Sequence, residues 1–216
     1  NKLNLKYAKF TKENYSNHDE FDFSFQSFTS NLKKIEELDL SGIQFNYSYN
    51  EKQQTSLKFP LLKKLVLSNI GLNDYETLNL DLAYSENIFH IDFSLNHFKL
   101  IKKWYFNYDG LKFLNLSFNN IELVERDSFL YIEVLEYLDL SFNQIKTFEI
   151  NLINILNFNL ELNKLEHIDN LTLGFKDVNN IYIRDNNLKK FPFRQLENLK
   201  RVLKEIDLTN NQLKKL

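Results

Sequence analysis

Histidine is the side chain best suited to move a proton or hold a metal near neutral pH, and this chain has four: His18, His90, His97 and His167. His90 and His97 are close in sequence, but neither is accompanied by the carboxylate–histidine spacing or second ligand set of a metal site or general base. The chain has no cysteine, which excludes disulfides, thiolate metal ligands and a cysteine nucleophile. It has only four glycines and no GxGxxG run, so a glycine-rich loop cradling phosphates is excluded as well. The expectation is a protein that is not an enzyme and uses no cofactor and no metal.

The elements that would carry any other function follow from composition and periodicity. The chain has 216 residues, 43% of them hydrophobic and 26% charged, with a formal net charge of -2. A near-neutral balance lacks the basic face that nucleic acid requires. Lysine pairs such as Lys63/Lys64, Lys102/Lys103 and Lys189/Lys190 do not gather into one patch. No run reaches the roughly 18 apolar residues of a membrane helix. The chain opens at Asn1 without a signal peptide, which suggests part of a longer protein or a mature product.

One internal pattern dominates: apolar, two variable, apolar, one variable, apolar, two variable, usually Asn, one variable, apolar. Its clearest copies are Leu135, Leu138, Leu140, Asn143, Ile145 and Leu111, Leu114, Leu116, Asn119, Ile121. Its first positions fall at 35, 62, 88, 111, 135, 155, 178 and 203, at spacings of 20 to 27 residues, and a truncated copy survives at Leu3, Leu5, Ala8 and Phe10. That makes about nine repeats. Each alternating segment is one short strand with one apolar face, which it can bury only by stacking on neighbours in a parallel sheet.

The asparagine after each strand has a different task. Asn96, Asn119, Asn143, Asn163, Asn186 and Asn211 recur at one phase, where a carboxamide can satisfy backbone groups as the chain turns inward. Ala8, Ile43 and Ile70 take that place in the early repeats, which predicts looser turns there. Asp39, Asp92, Asp139 and Asp207 share a mid-strand, outward phase. With strands about 4.8 Å apart, and these four in non-adjacent repeats, the nearest pair is roughly 10 Å apart, too far to share a cation. They read as solvating residues. Return segments of about ten to fifteen residues carry apolar markers such as Phe106, Phe129 and Ile132, and short helical or 3₁₀ turns are expected in them. The polar stretch between Phe10 and Ile35 and the run from Asn46 to Ser56 read as bulges from the stack, not linkers. Residues 1–216 are therefore taken as a single domain, a fragment or one lacking terminal caps.

The run LxxLxLxxNxL resembles the leucine-rich-repeat family over almost the whole chain. The copies LDLSFNQI and LNLSFNNI are similar to the extracellular type found in Toll-like receptors, small leucine-rich proteoglycans and insect leucine-rich immune proteins. The resemblance implies an α/β solenoid, a horseshoe with a parallel β-sheet on its concave face and short helices, 3₁₀ turns or loops on its convex face. It also implies a recognition module, plausibly of innate immunity, secreted or in a receptor ectodomain, with a protein or microbial ligand, or another leucine-rich-repeat chain, as partner. A structural or adhesion protein, or a cytosolic scaffold, is the alternative. The family's cysteine-rich caps are missing from these residues.

Phase then predicts a docking place. Aromatic and aliphatic residues cluster at two outward phases over four neighbouring repeats: His90, Phe113 and Tyr137 at one, Leu95, Phe118, Phe142 and Leu162 at the other. Exposed aromatics are the usual anchors of an interface. Candidate glycosylation acceptors are Asn14, Asn46, Asn115 and Asn170, each in an Asn-Xaa-Ser/Thr tripeptide. An asparagine-rich chain carries such tripeptides by chance, so they do not argue for secretion.

Overall fold

A three-residue strand cannot hide its own apolar side chain, and in the computed structural model each does so against the equivalent strand of the next repeat. The structure describes residues 1–4, 6, 34–43, 59–73, 85–103, 105–106, 108–149, 154–168, 177–193, 196 and 201–214. The strands are β1 (Lys2–Asn4), β2 (Glu37–Asp39), β3 (Lys64–Val66), β4 (His90–Asp92), β5 (Leu100–Ile101), β6 (Phe113–Asn115), β7 (Leu123–Val124), β8 (Leu135–Asp139), β9 (Ile155–Asn159), β10 (Asn180–Tyr182) and β11 (Glu205–Asp207). Nine of them form one sheet in the order β1-β2-β3-β4-β6-β8-β9-β10-β11, and β5 pairs with β7 apart from it. Every pairing is parallel.

The register lines up the apolar positions of the pattern. Leu38, Leu65, Ile91, Leu114, Leu138, Phe158 and Ile181 stand in one row, each with no exposed surface. Ile206, in β11, is partly exposed and among the described residues pairs with β10 alone. Burial of such a side chain contributes about 1.5–3 kcal/mol. Behind the sheet the returns close the core with phenylalanines: Phe106 stacks on Phe129 at 5.9 Å between ring centres and Phe93 on Phe98 at 5.8 Å. Ile132 is buried with them.

The returns fall within the short helices, 3₁₀ turns or loops expected of them, with little helix. Among the described residues they are turns, bends and the small β5·β7 sheet, with 3₁₀ geometry only at Phe193 and Leu196. A return of this length that gives residues to a strand and to a tight turn has too few left for two helical turns. The Ser128 hydroxyl holds one such turn by donating to the Ile101 and Glu125 carbonyls. The segments expected to bulge, between Phe10 and Ile35 and from Asn46 to Ser56, lie largely or wholly outside the described residues.

Most strands of the main sheet end in the same two-step turn. First, the last strand residue caps the chain: Asp39 Oδ1 accepts from the Ser41 N–H and hydroxyl, Asn115 Oδ1 does the same for Ser117, and Asp92, Asp139, Asn159 and Asp207 accept from the N–H two residues on. This is an Asx turn. Second, the next residue enters the left-handed region, with φ between 52° and 73° at Gly42, Asn69, Leu95, Phe118, Phe142, Leu162, Asp185 and Asn210. Its N–H donates to the following coil, as from Gly42 to the Ser68 carbonyl and from Phe142 to the Glu161 carbonyl. Gly42 and Asn69 repeat this geometry, so the looser early turns expected from Ile43 and Ile70 do not occur. Buried Ile43 and Ile70 fill the place of the asparagine with apolar volume.

The asparagines tie consecutive coils together. Oδ1 of Asn119, Asn143, Asn163, Asn186 and Asn211 accepts from the N–H of Phe98, Ile121, Ile145, Leu165 and Leu188 of the preceding coil, and Asn96 Oδ1 accepts from Ile70 and Leu72. Each Nδ2 also donates backwards; for Asn143 it reaches the Leu116 carbonyl at 2.9 Å and the carbonyls of Leu140 and Ser141 in its own coil.

Candidate interaction surface

The outward side chains of the sheet form rows that cross the strands. One row passes through Lys2, Glu37, Lys64, His90, Phe113, Tyr137, Asn157, Asn180 and Glu205. It is charged at both ends and apolar in the middle. His90 lies with its ring centre 5.8 Å from that of Phe113. Burial lowers the His90 pKa, with Lys64 adding to it against Asp92 and Glu37. Further along, Asn157 Nδ2 donates to the Glu136 carbonyl and Asn180 Nδ2 to Asn157 Oδ1, so both carboxamides are engaged.

Tyr137 in this row donates its hydroxyl to Asp139 Oδ2 at 3.0 Å. Burial, followed by the adjacent Asp139 charge, pushes the phenol up to about 12. A phenol whose pKa is raised on folding stabilises the fold below its unfolded value near 10 and loses that contribution as pH rises through the folded value. Absorbance at the phenolate band is therefore expected to show one tyrosine titrating near pH 12. Stability measured by denaturant should decline across pH 10–12, and less steeply in Tyr137→Phe.

The second row is the left-handed one. Leu95, Phe118, Phe142 and Leu162 occupy it in the four central coils and are 49%, 46%, 41% and 37% exposed. The rings of Phe118 and Phe142 stack with centres 4.0 Å apart and planes 12° from parallel. In the flanking coils the same backbone position holds Gly42 and Asn69 on one side and Asp185 and Asn210 on the other. Those residue types adopt positive φ most readily, whereas a bulky side chain there costs about 1–2 kcal/mol. Local backbone geometry therefore does not explain four large apolar residues in consecutive coils.

The seven residues expected in one patch thus stand in two rows. Between them runs a polar strip made of the turn caps Asp92, Asn115, Asp139 and Asn159. The aspartates that read as mere solvating residues are these caps. Their signal was present in the sequence as Asp or Asn two residues before Ser or Thr. Asn115, a candidate glycosylation acceptor, is in the middle of the strip, and a glycan there would cover both rows. Asn14, Asn46, Asn170 and His18 lie outside the described residues. His97 is exposed, with its N–H bonded to the Leu72 carbonyl, and His167 lies in an isolated parallel bridge with Thr147. Among the described residues no three or more His, Cys, Asp or Glu side chains are grouped to hold a metal. No helix among them is long and apolar enough to cross a membrane.

Residues 87–145 match the leucine rich repeat family model. No curated protein matches the chain. Among solved structures, the functional domain of InlJ from Listeria monocytogenes, described as including a cysteine ladder, is similar with a TM-score of 0.56 and 16% identity, over 84% of this chain and 34% of that one. A leucine-rich-repeat protein of Leptospira interrogans is similar with a TM-score of 0.41 and 18% identity, over 84% of this chain and 62% of that one. The chain therefore spans about a third of the first structure and under two thirds of the second. At 16% identity the likeness to the InlJ domain is one of fold.

Proposed function

We propose that this chain, whose residues 87–145 match the leucine rich repeat family model, acts as an extracellular recognition module that holds a protein or microbial ligand on the exposed face of its sheet. The repeat fold itself is a protein-binding scaffold, and its family consists generally of binding modules without catalysis. The extracellular setting, a secreted glycoprotein or a receptor ectodomain serving innate immunity, rests on the resemblance of the LDLSFNQI-type repeats. The observation that carries the binding face is the left-handed row: four large apolar side chains held out toward solvent at positions where asparagine or glycine would fit the backbone better. Strained positions of this kind persist where the surrounding structure enforces them, and they concentrate at ligand contacts.

The test is a double replacement, Phe118→Asn with Phe142→Asn, used as bait in native extracellular fluid beside the parent chain. Losing the ring stack costs about 0.5–1.5 kcal/mol. Relief of two bulky left-handed residues returns about 1–2 kcal/mol each, offset by the partial burial that the rings give up. Stability is therefore expected to stay within about 1 kcal/mol of the parent, while a ligand captured by the parent is lost. A variant that unfolds instead would show the rings to be core, and one that captures the same ligand would remove the row from the binding face.

A second reading, a structural or adhesion protein that assembles through its repeat surface, draws support from exposed Leu123, Tyr131 and Val134 on the return side. The last two line a shallow depression with Leu130, Ile132, Glu133 and Asn154. Concentration-dependent growth of mass in light scattering is its signature.

A further inference from the structure

The two ends of the apolar row are unlike in charge. On the β1–β4 side carboxylates and lysines are mixed: Lys2 pairs with Glu37 at 2.7 Å and Lys63 with Glu36 at 2.6 Å, and Lys64 stands in the row of His90. On the β9–β11 side the row runs from Leu162 directly onto Asp185, with Glu161 beside Leu162. Asp139, Asp207 and Glu205 stand in the adjoining rows. One guanidinium answers this group: Arg184 Nε lies 3.5 Å from Glu161 and 3.2 Å from Asp185. Among the described residues no lysine or arginine forms an ion pair with Asp139, Glu205 or Asp207. Their partners are neutral: Tyr137 on Asp139, Tyr182 on Glu205, and Thr209 on Asp207. The excess negative charge acts on Glu161, whose carboxyl is raised by burial first and then, against Arg184, by Asp207, Asp139 and Asp185.

The geometry points to a ligand of one chemical class: an extended peptide segment of another protein, apolar along the Leu95–Leu162 row and carrying lysine or arginine where it passes Asp185 and Glu161. This rests on the proposed recognition role and adds the partner's chemistry to it. The dimensions agree. Four strands at about 4.8 Å spacing set the apolar row at roughly 14 Å from end to end. An extended chain rising about 3.3 Å per residue covers that in four to five residues and meets Asp185 one or two residues later. Alternate side chains of such a segment would face the row. The cation would enter a region where one arginine serves several carboxylates, and complementarity of this kind sets partner choice more than total affinity.

Two labelled synthetic peptides test this by fluorescence anisotropy: Leu-Thr-Phe-Thr-Leu-Lys-Lys and a twin ending in Glu-Glu. The lysine peptide is expected to bind about tenfold or more tightly than its twin at low salt, with the gap closing as salt is raised. In Asp185→Asn with Glu161→Gln the preference should vanish. In Phe118→Asn with Phe142→Asn both peptides should lose binding. Circular dichroism on each variant checks that the stack is intact. Equal affinity for the two peptides, a preference that survives the double neutralisation, or no binding of either peptide overturns the inference. Equal affinity that still depends on Phe118 and Phe142 would leave the recognition role standing without the cationic partner. Loss of native ligand capture is read separately in the bait experiment.

Discussion

Leu138→Ala is expected to destabilise the protein by about 2–5 kcal/mol, the range for emptying a fully buried leucine site. Leu138 has no exposed surface and stands between Leu114 and Phe158 in the central row of the sheet. In a stack of coils each core residue serves two junctions, so the cavity loosens the contacts of β8 with β6 and with β9 together. For a chain of this size, such a loss corresponds to a fall in melting temperature of roughly 5–15 °C. Ile206→Ala, in the terminal strand, should cost distinctly less, because its site is already partly exposed. Urea unfolding of the two variants beside the parent decides the matter. Equal losses would show that the central row does not carry the stack.

Asn143→Ala should cost at least about 1–3 kcal/mol for a different reason, since little apolar surface is involved. It leaves the Ile121 N–H, which donates to Oδ1 at 2.9 Å, without that acceptor in the interior, and it removes a donor from the Leu116 carbonyl. A buried polar group stripped of its partner loses its solvation without recompense. Asn143→Asp should also destabilise, because it loses the donor and sets a buried carboxylate against the Leu116, Leu140 and Ser141 carbonyls. Ile43 and Ile70 show that an apolar residue can hold this position where the neighbouring coil is built for it. The alanine variant has neither the carboxamide nor the volume. An unchanged unfolding midpoint in Asn143→Ala would mean that the carboxamide bonds contribute nothing net.

The sheet was legible because its code has a short period. Leu114, Leu138 and Ile181 alternate with outward-facing neighbours and recur in phase, and both features follow from backbone geometry alone. The asparagine positions were legible for the same reason, a polar residue at one fixed place in an apolar pattern. The turn caps were not. Asp39, Asp92 and Asp139 look like ordinary outward carboxylates until the Asx turn is drawn, and Asn115 was set apart from them by its different residue type and by its glycosylation tripeptide. Nor was the left-handed row, since Leu95 and Phe118 are poor residues for positive φ and nothing in their own identity announces it. Only alignment with Gly42, Asn69 and Asn210 at the same phase does so. For the returns the choice among helix, 3₁₀ turn and loop stayed open, because apolar markers such as Phe106 and Phe129 fix burial but not local conformation.

The backward reach of the asparagines also orders events in time. Asn96, Asn119, Asn143, Asn163, Asn186 and Asn211 each satisfy a backbone N–H that lies 18 to 26 residues earlier in the chain. During synthesis, a newly emerged coil stays unsealed until its successor's carboxamide arrives, so the growing molecule always trails one unfinished turn behind the ribosome. The same dependence governs how the molecule can be shortened. A C-terminal truncation placed just before one of these asparagines leaves the amide it would have served without its acceptor.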